Sequence, residues 1–408
     1  FGCAGSDSLA AIDDAVADGV DVLNYSIGGP STSFGGAASV AFLNAALSDV
    51  FVATSNGNSG PGAETVGTPA GVPWITSVGA AQDDGVLGTG LVVNAPVSVA
   101  GTYIGLEGTG PVRLSDAGDI ADSVVPAEPL NGCAPLSNDI SGGIALVIRG
   151  ACSFASKYNN AAAAGARAIV VYNDGADPTR IDPIFMGGLA GVTIPGLMIG
   201  FNDGALLEAA ASGGEIVAGT VGQSIVISLA DRIAGFSSRG PNGGAPDIIK
   251  PDVAAPGVSI LAAGSPFDAG GANDGQNFLF LQGTSMSSPH VAGVFALLKQ
   301  AHPDWTAAIA KSALMTTARQ DLKKTFGDEA ANPFDIGSGH IVPDAAFDPG
   351  LAYDAGLFEY AAFTCGNNVP LFTPGSCAFL ESLGFSFDGS DLNYASIGVG
   401  TLAGSQTV

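Results

Sequence analysis

The alternation of helix and strand signals near the start of the sequence constrains the fold more than any other feature. Apolar residues recur at helical spacing over residues 6–18 and 35–50, and short apolar runs occupy residues 20–27, 50–53 and 74–80. Strands that are separated by helices form a mostly parallel sheet that is covered on both faces. We therefore predict an α/β fold whose ligands bind beyond the carboxyl ends of the strands.

A different pattern begins near Gly85. The apolar runs become short and are interrupted by glycines, and only residues 156–165 keep a helical pattern. This region is predicted to be a β-rich insert, after which the α/β pattern resumes and gives way to a loop-rich tail that is strand-like from Tyr394. The predicted boundaries are 1–84 and 225–360 for the α/β domain, 85–224 for the insert and 361–408 for the tail.

Composition excludes several classes of protein. The hydrophobic share of 47% is enough to bury a core, which argues against disorder. With 13 Lys and Arg residues against 38 Asp and Glu residues, the net charge is −25, so nucleic acid is not expected as a partner. The uncharged run that most resembles a membrane span, residues 183–201, contains five glycines and two prolines. Because a membrane-spanning helix would not contain so many of these residues, we predict no membrane span.

The five cysteines allow two small loops to be closed by disulfides. Cys133 could pair with Cys152 and Cys365 with Cys377, which leaves Cys3 without a partner. Disulfides would imply a secreted protein, whereas buried free thiols in a cytosolic chain are the alternative. No two cysteines have the CxxC spacing of a metal knot, and three histidines are too few for a zinc site built on several of them.

Ser285 lies at the start of the long helix that is predicted after Gly283. A hydroxyl at this position feels the positive end of the helix and its free N–H groups, which favour a developing oxyanion. Most serines at a helix start are simply N-caps, and this one does not lie in a GxSxG elbow because Ser287 replaces the second glycine.

Longer motifs reveal a resemblance. Residues 283–293 read GTSMSSPHVAG and resemble the segment around the nucleophile of the subtilases, which are serine peptidases of the subtilisin type. Residues 57–61 resemble that family's oxyanion segment, and residues 18–28 resemble its substrate-binding strand. The pattern over 133–166 resembles a protease-associated (PA) domain, and residues 391–394 resemble the start of a C-terminal β-sandwich. The resemblance implies a subtilisin-like parallel sheet with helices on both faces, interrupted by a PA domain.

The resemblance also implies roles for particular residues. Ser285 would be the nucleophile that forms an acyl-enzyme, and Asn58 would donate its amide to the oxyanion together with the Ser285 N–H. The implied substrate-binding residues are Ser26, Ile27, Gly28, Gly57, Gly67 and Thr284. Residues 26–28 would pair with the substrate backbone, and Gly67 would leave room for a large apolar or aromatic side chain. The alternative interpretation of the glycine segments is ordinary turns.

The sequence departs from the family in its histidines. The family's Asp and His motifs lie upstream of the substrate-binding strand and are absent, and all three histidines follow Ser285. His290 would be turned about 140° from Ser285 on the same helix and is expected to be buried. His302 is expected to cap carbonyls at a helix end, and His340 is expected in a loop without a catalytic role.

We therefore expect a serine endopeptidase whose chain as given is incomplete and inactive by itself. The alternative is a non-catalytic, subtilase-like module that binds peptides or proteins. A zinc aminopeptidase is a remote third possibility, since PA domains also occur in that class. The three histidines are not accompanied by carboxylates in a zinc-binding pattern.

The expected partner is a protein or peptide substrate, and the chemistry requires no cofactor. The Asp- and Gly-rich loops 173–177 and 268–274 could bind structural calcium, but their residues do not have the spacing of an EF-hand loop. The PA domain would gate substrate, bind a partner, mediate dimerisation or be a passive insert, and the sequence leaves these alternatives open.

Overall fold

The computed structural model describes most of the chain and divides it into two compact units. The described residues are 4–82, 87–108, 110–176, 180–181, 183–184, 186–226, 230–264, 277–325, 329–367, 369, 373–402 and 404–407. The first unit comprises Phe1–Asp84 with Leu229–Val408, and the second comprises Gly85–Ser228. The insert predicted at 85–224 falls within the second unit, and its identity as a PA domain stays a prediction.

Helices and strands alternate at the start of the first unit, whose later part is a run of strands followed by a run of helices, whereas strands dominate the second unit. In chain order the strands are β1 (Val22–Tyr25), β2 (Phe51–Ser55), β3 (Thr76–Gln82), β4 (Leu87–Ala95), β5 (Gly101–Ile104), β6 (Leu106–Glu107), β7 (Ile120–Pro126), β8 (Ile144–Ile148), β9 (Ala168–Tyr172), β10 (Gly196–Ile199), β11 (Ala218–Val226), β12 (Arg232–Ile233), β13 (Val253–Pro256), β14 (Ile260–Ala263) and β15 (Phe278–Leu281). The helices are α1 (Gly5–Ala17), α2 (Ala37–Leu47), α3 (Leu114–Ala117), α4 (Phe154–Ala163), α5 (Phe201–Ser212), α6 (Thr284–Ala301), α7 (Ala307–Thr316), α8 (Pro333–Ile336), α9 (Pro343–Ala346), α10 (Leu357–Gly366) and α11 (Pro374–Ser382).

A mostly parallel sheet forms the centre of the first unit, which confirms the predicted α/β class. Its strand order is β1-β2-β3-β12, and β13 also pairs with β3. The pairs β1–β2, β2–β3 and β13–β3 are parallel, while β12 runs antiparallel to β3. All 5 residues of β2 are buried, as expected for a strand that is covered on both faces. The carboxyl ends of β1 and β2 therefore meet at one edge of the sheet.

The helix α6 packs across this sheet because its buried residues recur every three or four positions. Thr284, Ser288, Val291, Phe295 and Leu298 are all buried on one face. The Phe295 ring meets the ring of Phe51 on β2 edge to face, with 5.6 Å between centroids. This packing fixes the N-terminus of α6 at the edge where the parallel strands end.

A buried charged cluster joins the tail to the sheet of the first unit. The Lys250 ammonium lies 2.7 Å from Asp252 Oδ2, and the Lys311 ammonium lies 3.1 Å from Asp252 Oδ1. The Tyr394 hydroxyl donates to Asp252 and accepts from Lys311. All four side chains are buried, so the cluster anchors the tail to the core of the first unit.

The tail differs from its prediction. No strand occurs in the described residues after Leu281, so the strand predicted from Tyr394 is wrong for 394–402 and 404–407. The reason is that individual contacts hold the segment, and no ladder of strand hydrogen bonds does. The Tyr394 hydroxyl donates to Asp252, and the Gly400 N–H donates to the Asp247 carboxylate. The loop-rich prediction also missed α10 and α11.

The second unit contains a sheet with the strand order β5-β4-β11-β7-β8-β9-β10-β6. The strands β7, β8, β9 and β10 are paired in parallel, and the helix α4 connects β8 to β9. The helix predicted over 156–165 is thus present, whereas α5 was missed because Gly204 interrupts its apolar pattern.

Both predicted disulfides are formed. Cys133 and Cys152 are joined in the second unit with 5.7 Å between Cα atoms, and Cys365 and Cys377 join α10 to α11 with 5.8 Å between Cα atoms. Cys3 lies outside the described residues. Among the described residues, no helix has the length and hydrophobicity that crossing a membrane requires.

Next to the first disulfide, a fully buried lysine satisfies three backbone carbonyls. The Lys157 ammonium donates to the carbonyls of Ile148 at 3.1 Å, Gly150 at 2.8 Å and Asn131. Burial lowers the pKa of Lys157 to about 8, although Asp174 acts in the opposite direction. The side chain therefore holds together three segments around the end of β8.

Replacing Lys157 by methionine is expected to destabilise the second unit. The apolar side chain keeps the volume but removes the Lys157 donor from these half-buried carbonyls, of which only that of Gly150 also accepts from the Cys152 N–H, at a cost of about 2 kcal/mol. Amide hydrogen exchange in β8 and β9 should become about thirtyfold faster. The exposed Arg167 offers a control, since Arg167→Met removes one positive charge from the same unit without uncovering a buried group. Equal exchange rates in the wild type and Lys157→Met would contradict the role of the lysine.

Candidate active site

A cleft opens where β1 and β2 end and α6 begins. Its volume is about 450 Å³, and it is lined by the loops after β1 and β2, by the segment 64–68 and by the first two residues of α6. The structure thus brings together almost all of the predicted site residues: Ser26, Gly28, Gly57, Asn58, Gly67, Thr284 and Ser285. Ile27 does not line the cleft, and its side chain is 40% exposed. The catalytic and binding roles of these residues stay predictions.

Ser285 occupies the first turn of α6, after the N-cap Gly283. Its hydroxyl donates to the carbonyl of Ser26 at 3.3 Å. The Ser285 N–H has no acceptor among the described residues, as expected for one of the first N–H groups of a helix. The 18-residue helix therefore presents a free backbone donor and its positive end beside the hydroxyl.

Ser26 and Ser285 bind each other through a second hydrogen bond, which depends on a proline. Pro289 stands four residues after Ser285 and has no N–H to donate to the Ser285 carbonyl. The Ser26 hydroxyl donates to this carbonyl at 2.9 Å instead. Ser26 therefore positions the nucleophile candidate in addition to lining the cleft. The position of Pro289 was the signal in the sequence that could have indicated this role.

Two further residues support the Ser26 hydroxyl, and no sequence pattern indicated their role. The Asn24 amide donates to Ser26 Oγ at 3.1 Å, and the buried Ser288 hydroxyl donates to Asn24 Oδ1 at 2.7 Å. The chain of contacts starts and ends on α6 and passes through β1. It orients the Ser26 hydroxyl toward the Ser285 carbonyl.

The orientation of the Asn58 amide follows from its partners. Asn58 Oδ1 accepts from the Thr284 N–H and from the Thr284 hydroxyl, both at 2.9 Å. Because both partners donate, the oxygen must face them and Nδ2 must face away. The Asn58 Nδ2 has no acceptor among the described residues and lies beside Gly283. Thr284, whose hydroxyl also accepts from the Gly57 N–H at 3.2 Å, therefore positions Asn58.

Two of the three predicted glycines that line the cleft, Gly57 and Gly67, are required for different structural reasons. Gly57 has a φ of 106°, which favours glycine. At Gly67 a Cβ atom would lie 1.9 Å from the carbonyl oxygen of Gly29, because backbone hydrogen bonds join Gly29 to Thr68. The backbone of Gly29 thus fills the space that a Gly67 side chain would occupy. The predicted preference of the cleft for a large apolar substrate side chain stays a prediction.

The three histidines lie away from the hydroxyl of Ser285. His290 is exposed with Nδ1 2.8 Å from the Met286 carbonyl, so the prediction of a buried histidine is wrong. It lies about 100° from the buried row that contains Val291. His302 Nε2 bonds to the Phe347 carbonyl instead of its own helix, and His340 Nδ1 bonds to the Ile341 carbonyl. In the part of the chain that the structure describes, no imidazole contacts the Ser285 hydroxyl.

The described residues contain no cluster of His, Cys, Asp and Glu side chains that could hold a metal ion. In the loop 173–177, the Asp174 carboxylate is engaged by the Arg180 guanidinium. The other calcium candidate, 268–274, lies outside the described residues.

Comparison with known proteins identifies the family. The profile of the Subtilase family matches residues 2–339. The chain is similar to the Subtilisin-like protease SBT5.4 of Arabidopsis thaliana, with 36% identity over 436 residues that cover 100% of this chain and 54% of that protein. It is also similar to the Subtilisin-like protease SBT1.6 of the same plant, with 35% identity over 393 residues that cover 89% of this chain and 49% of that protein. The chain spans about half the length of the curated relatives it matches.

Among solved structures, the psychrophilic subtilisin-like protease Apa1 from the Antarctic psychrotroph Pseudoalteromonas sp. AS-11 aligns with a TM-score of 0.39 and 19% identity. That alignment covers 83% of this chain and 72% of the other. Family membership rests on the sequence matches, which extend over most of the chain. The chain belongs to the subtilase family.

Proposed function

We propose that this chain carries the nucleophile and the oxyanion site of a serine-type endopeptidase. Ser285 Oγ attacks the peptide carbonyl carbon, and Asn58 Nδ2 and the Ser285 N–H donate to the oxyanion that forms. When this intermediate collapses, the C–N bond breaks, the amine leaves with the proton that a base has taken from Ser285, and the acyl-enzyme remains. The observation that carries the proposal is the fixed Asn58 amide, whose oxygen is held by Thr284 and whose donor end has no acceptor among the described residues. The two donors thus belong to the same cleft as the hydroxyl.

Substrate binding by strand addition is part of this proposal. In the described part of the chain, the backbones of Ile27 and Gly28 form no hydrogen bond with another backbone group, whereas Gly29 is paired with Thr68. An extended peptide would pair with residues 26–28 and place its scissile carbonyl near Ser285. The partner is a protein or peptide.

The attack also requires a base that takes the proton of Ser285. The Ser26 carbonyl, which accepts that proton in a hydrogen bond, is far too weakly basic for this task. No imidazole of the described residues contacts the hydroxyl. We therefore expect the 408-residue chain to be inactive by itself and to need an Asp and a His from outside these residues.

The same observation favours a second candidate function. A chain that binds peptides by strand addition but has no base at its serine would act as a peptide-binding module. A chimera discriminates between the two functions: a subtilase segment that carries the family's Asp and His motifs is fused ahead of this chain. We refer to it as the completed chimera. Hydrolysis of casein by the completed chimera supports the endopeptidase, and peptide binding without hydrolysis supports the module.

Changing Asn58 to aspartate in the completed chimera tests the oxyanion site. Aspartate keeps the oxygen that accepts from Thr284 but replaces the donor by a second acceptor. We expect kcat to fall by about 10²- to 10³-fold, which is the cost of losing one oxyanion donor in subtilisin, with KM nearly unchanged. Asn202→Ala, on an exposed face of α5, serves as the control. A kcat for Asn58→Asp equal to that of the parent would refute the assignment.

We further propose that the protein acts outside the cell. The disulfides Cys133–Cys152 and Cys365–Cys377 support this proposal, since such bonds persist in oxidising compartments. The resemblance of residues 133–166 to a PA domain supports that identity for the second unit.

A further inference from the structure

The cleft contains one charged side chain whose position suggests a role in substrate selection. Of the described residues that line the cleft, Glu64 alone is charged. Its side chain is exposed, and no Lys, Arg or His among the described residues forms an ion pair with it. A carboxylate that is not neutralised within the protein is available to a cation from outside.

The backbone holds Glu64 in a conformation that side chains rarely adopt. Its φ is 56°, in the left-handed region, where a residue other than glycine, asparagine or aspartate is uncommon. The Glu64 N–H donates to the Gly240 carbonyl at 3.2 Å, and the next N–H, of Thr65, donates to the Arg239 carbonyl at 3.0 Å. Neighbouring segments therefore fix the backbone from which the Glu64 side chain extends at the cleft, and such enforced conformations are concentrated at functional sites.

A second group adds to the negative potential of the cleft. Asn56 also lines it and is 1% exposed. The Asn56 Nδ2 donates to the Ser238 carbonyl at 2.7 Å, and since a carbonyl only accepts, the orientation of the amide is determined. Asn56 Oδ1 has no donor among the described residues, so the negative end of this buried dipole is not neutralised.

We propose that the cleft selects a lysine or arginine side chain of the substrate, with the Glu64 carboxylate as its ionic partner. This inference rests on the proposed function, because it assumes that a peptide lies along residues 26–28. An apolar side chain in the same place would desolvate the carboxylate without giving it a partner. The net charge of −25 acts in the same direction, since it attracts cationic peptides. The preference differs from the large apolar side chain that Gly67 alone suggested.

Peptide binding to the 408-residue chain tests this selection without requiring catalysis. The probes are fluorescein-labelled pentapeptides that differ only at the central residue, which is Lys, Arg, norleucine, Phe or Glu, and the readout is fluorescence anisotropy at low salt. We expect the Lys and Arg peptides to bind about tenfold more tightly than the norleucine peptide. In Glu64→Gln this preference should fall to about twofold, and in the parent it should weaken as salt increases.

The matched control is Glu381→Gln, which removes one negative charge from an exposed position on α11 and should leave the preference unchanged. A Lys preference that persists in Glu64→Gln would overturn the assignment of Glu64, and so would norleucine or Phe peptides that bind as tightly as Lys. If none of the peptides binds the parent chain, the proposed peptide site is itself wrong, and the selectivity assignment fails with it.

Discussion

Ser285→Ala is expected to lower the kcat of the completed chimera by about 10⁶-fold, the magnitude known for subtilisin, while KM changes by less than about threefold. The hydroxyl is the atom that would form the acyl-enzyme, and alanine has no nucleophile to replace it. Alanine loses the hydrogen bond to the Ser26 carbonyl, but the Ser26 hydroxyl still donates to the backbone carbonyl of residue 285. Thr284 still holds the Asn58 amide, so binding should persist. Steady-state hydrolysis of a labelled peptide measures both constants.

Three comparisons make the Ser285 prediction specific. Ser48→Ala, at the exposed end of α2, should leave kcat unchanged, and a fluorophosphonate probe should label the parent chimera but not Ser285→Ala. The 408-residue chain alone should not hydrolyse casein. If that chain hydrolysed casein and Ser285→Ala abolished the activity, the expectation of inactivity would be wrong, and a base would have to lie within these residues.

Asp252→Asn is expected to destabilise the first unit by about 3–5 kcal/mol. The ammonium groups of Lys250 and Lys311 would remain buried after the carboxylate that neutralises them is gone. Tyr394 would also lose its ionised acceptor, which loosens the tail. Urea unfolding followed by tryptophan fluorescence reports on this unit, because Trp74 and Trp305, the 2 tryptophans of the sequence, both belong to it.

The pH dependence gives an independent check of the Asp252 cluster. Burial opposes the charge of the Asp252 carboxyl, but the Lys250 and Lys311 ammonium groups outweigh this effect and lower its pKa. A carboxyl with a lowered pKa in the folded state stabilises the protein at neutral pH and loses this effect as pH falls below about 4. The parent should therefore lose stability in that acidic range more steeply than Asp252→Asn does.

Asp13→Asn, on the exposed face of α1, is the control and should change stability by less than about 0.5 kcal/mol. If Asp252→Asn proved as stable as the parent, the buried cluster would not contribute as we describe.

Local patterns were sufficient for three strands of the central sheet and for the edge of that sheet where the cleft lies. The strands β1, β2 and β3 could be predicted because short apolar runs alternate with helices, and parallel connection then brings the loops after β1 and β2 to one edge. Ser285 could be placed at the start of α6 because the apolar residues after it keep helical spacing. The grouping of Ser285 with Asn58 came from a family resemblance, since these residues lie far apart in the sequence.

Features that depend on tertiary contacts could not be predicted. The tail after Tyr394 has a strand-like composition, but buried contacts with Asp252 and Lys311 determine its path. His290 was expected to be buried because it is turned away from Ser285 on the helix, but it also lies outside the buried face of α6 and is exposed. The hydrogen bond from the Ser26 hydroxyl to the Ser285 carbonyl depends on how closely β1 and α6 pack, which no local sequence pattern specifies.

In the proposed function, the paired hydrogen bonds between Ser26 and Ser285 would couple substrate recognition to chemistry. Because Pro289 leaves the Ser285 carbonyl to Ser26, the loop that would receive the substrate backbone and the turn that carries the attacking oxygen cannot shift independently. If a bound peptide shifted slightly, the Ser285 hydroxyl would therefore move with it. The alignment between oxygen and carbonyl carbon would thus be preserved across substrates of different shape, and breadth of substrate choice need not reduce the rate of attack.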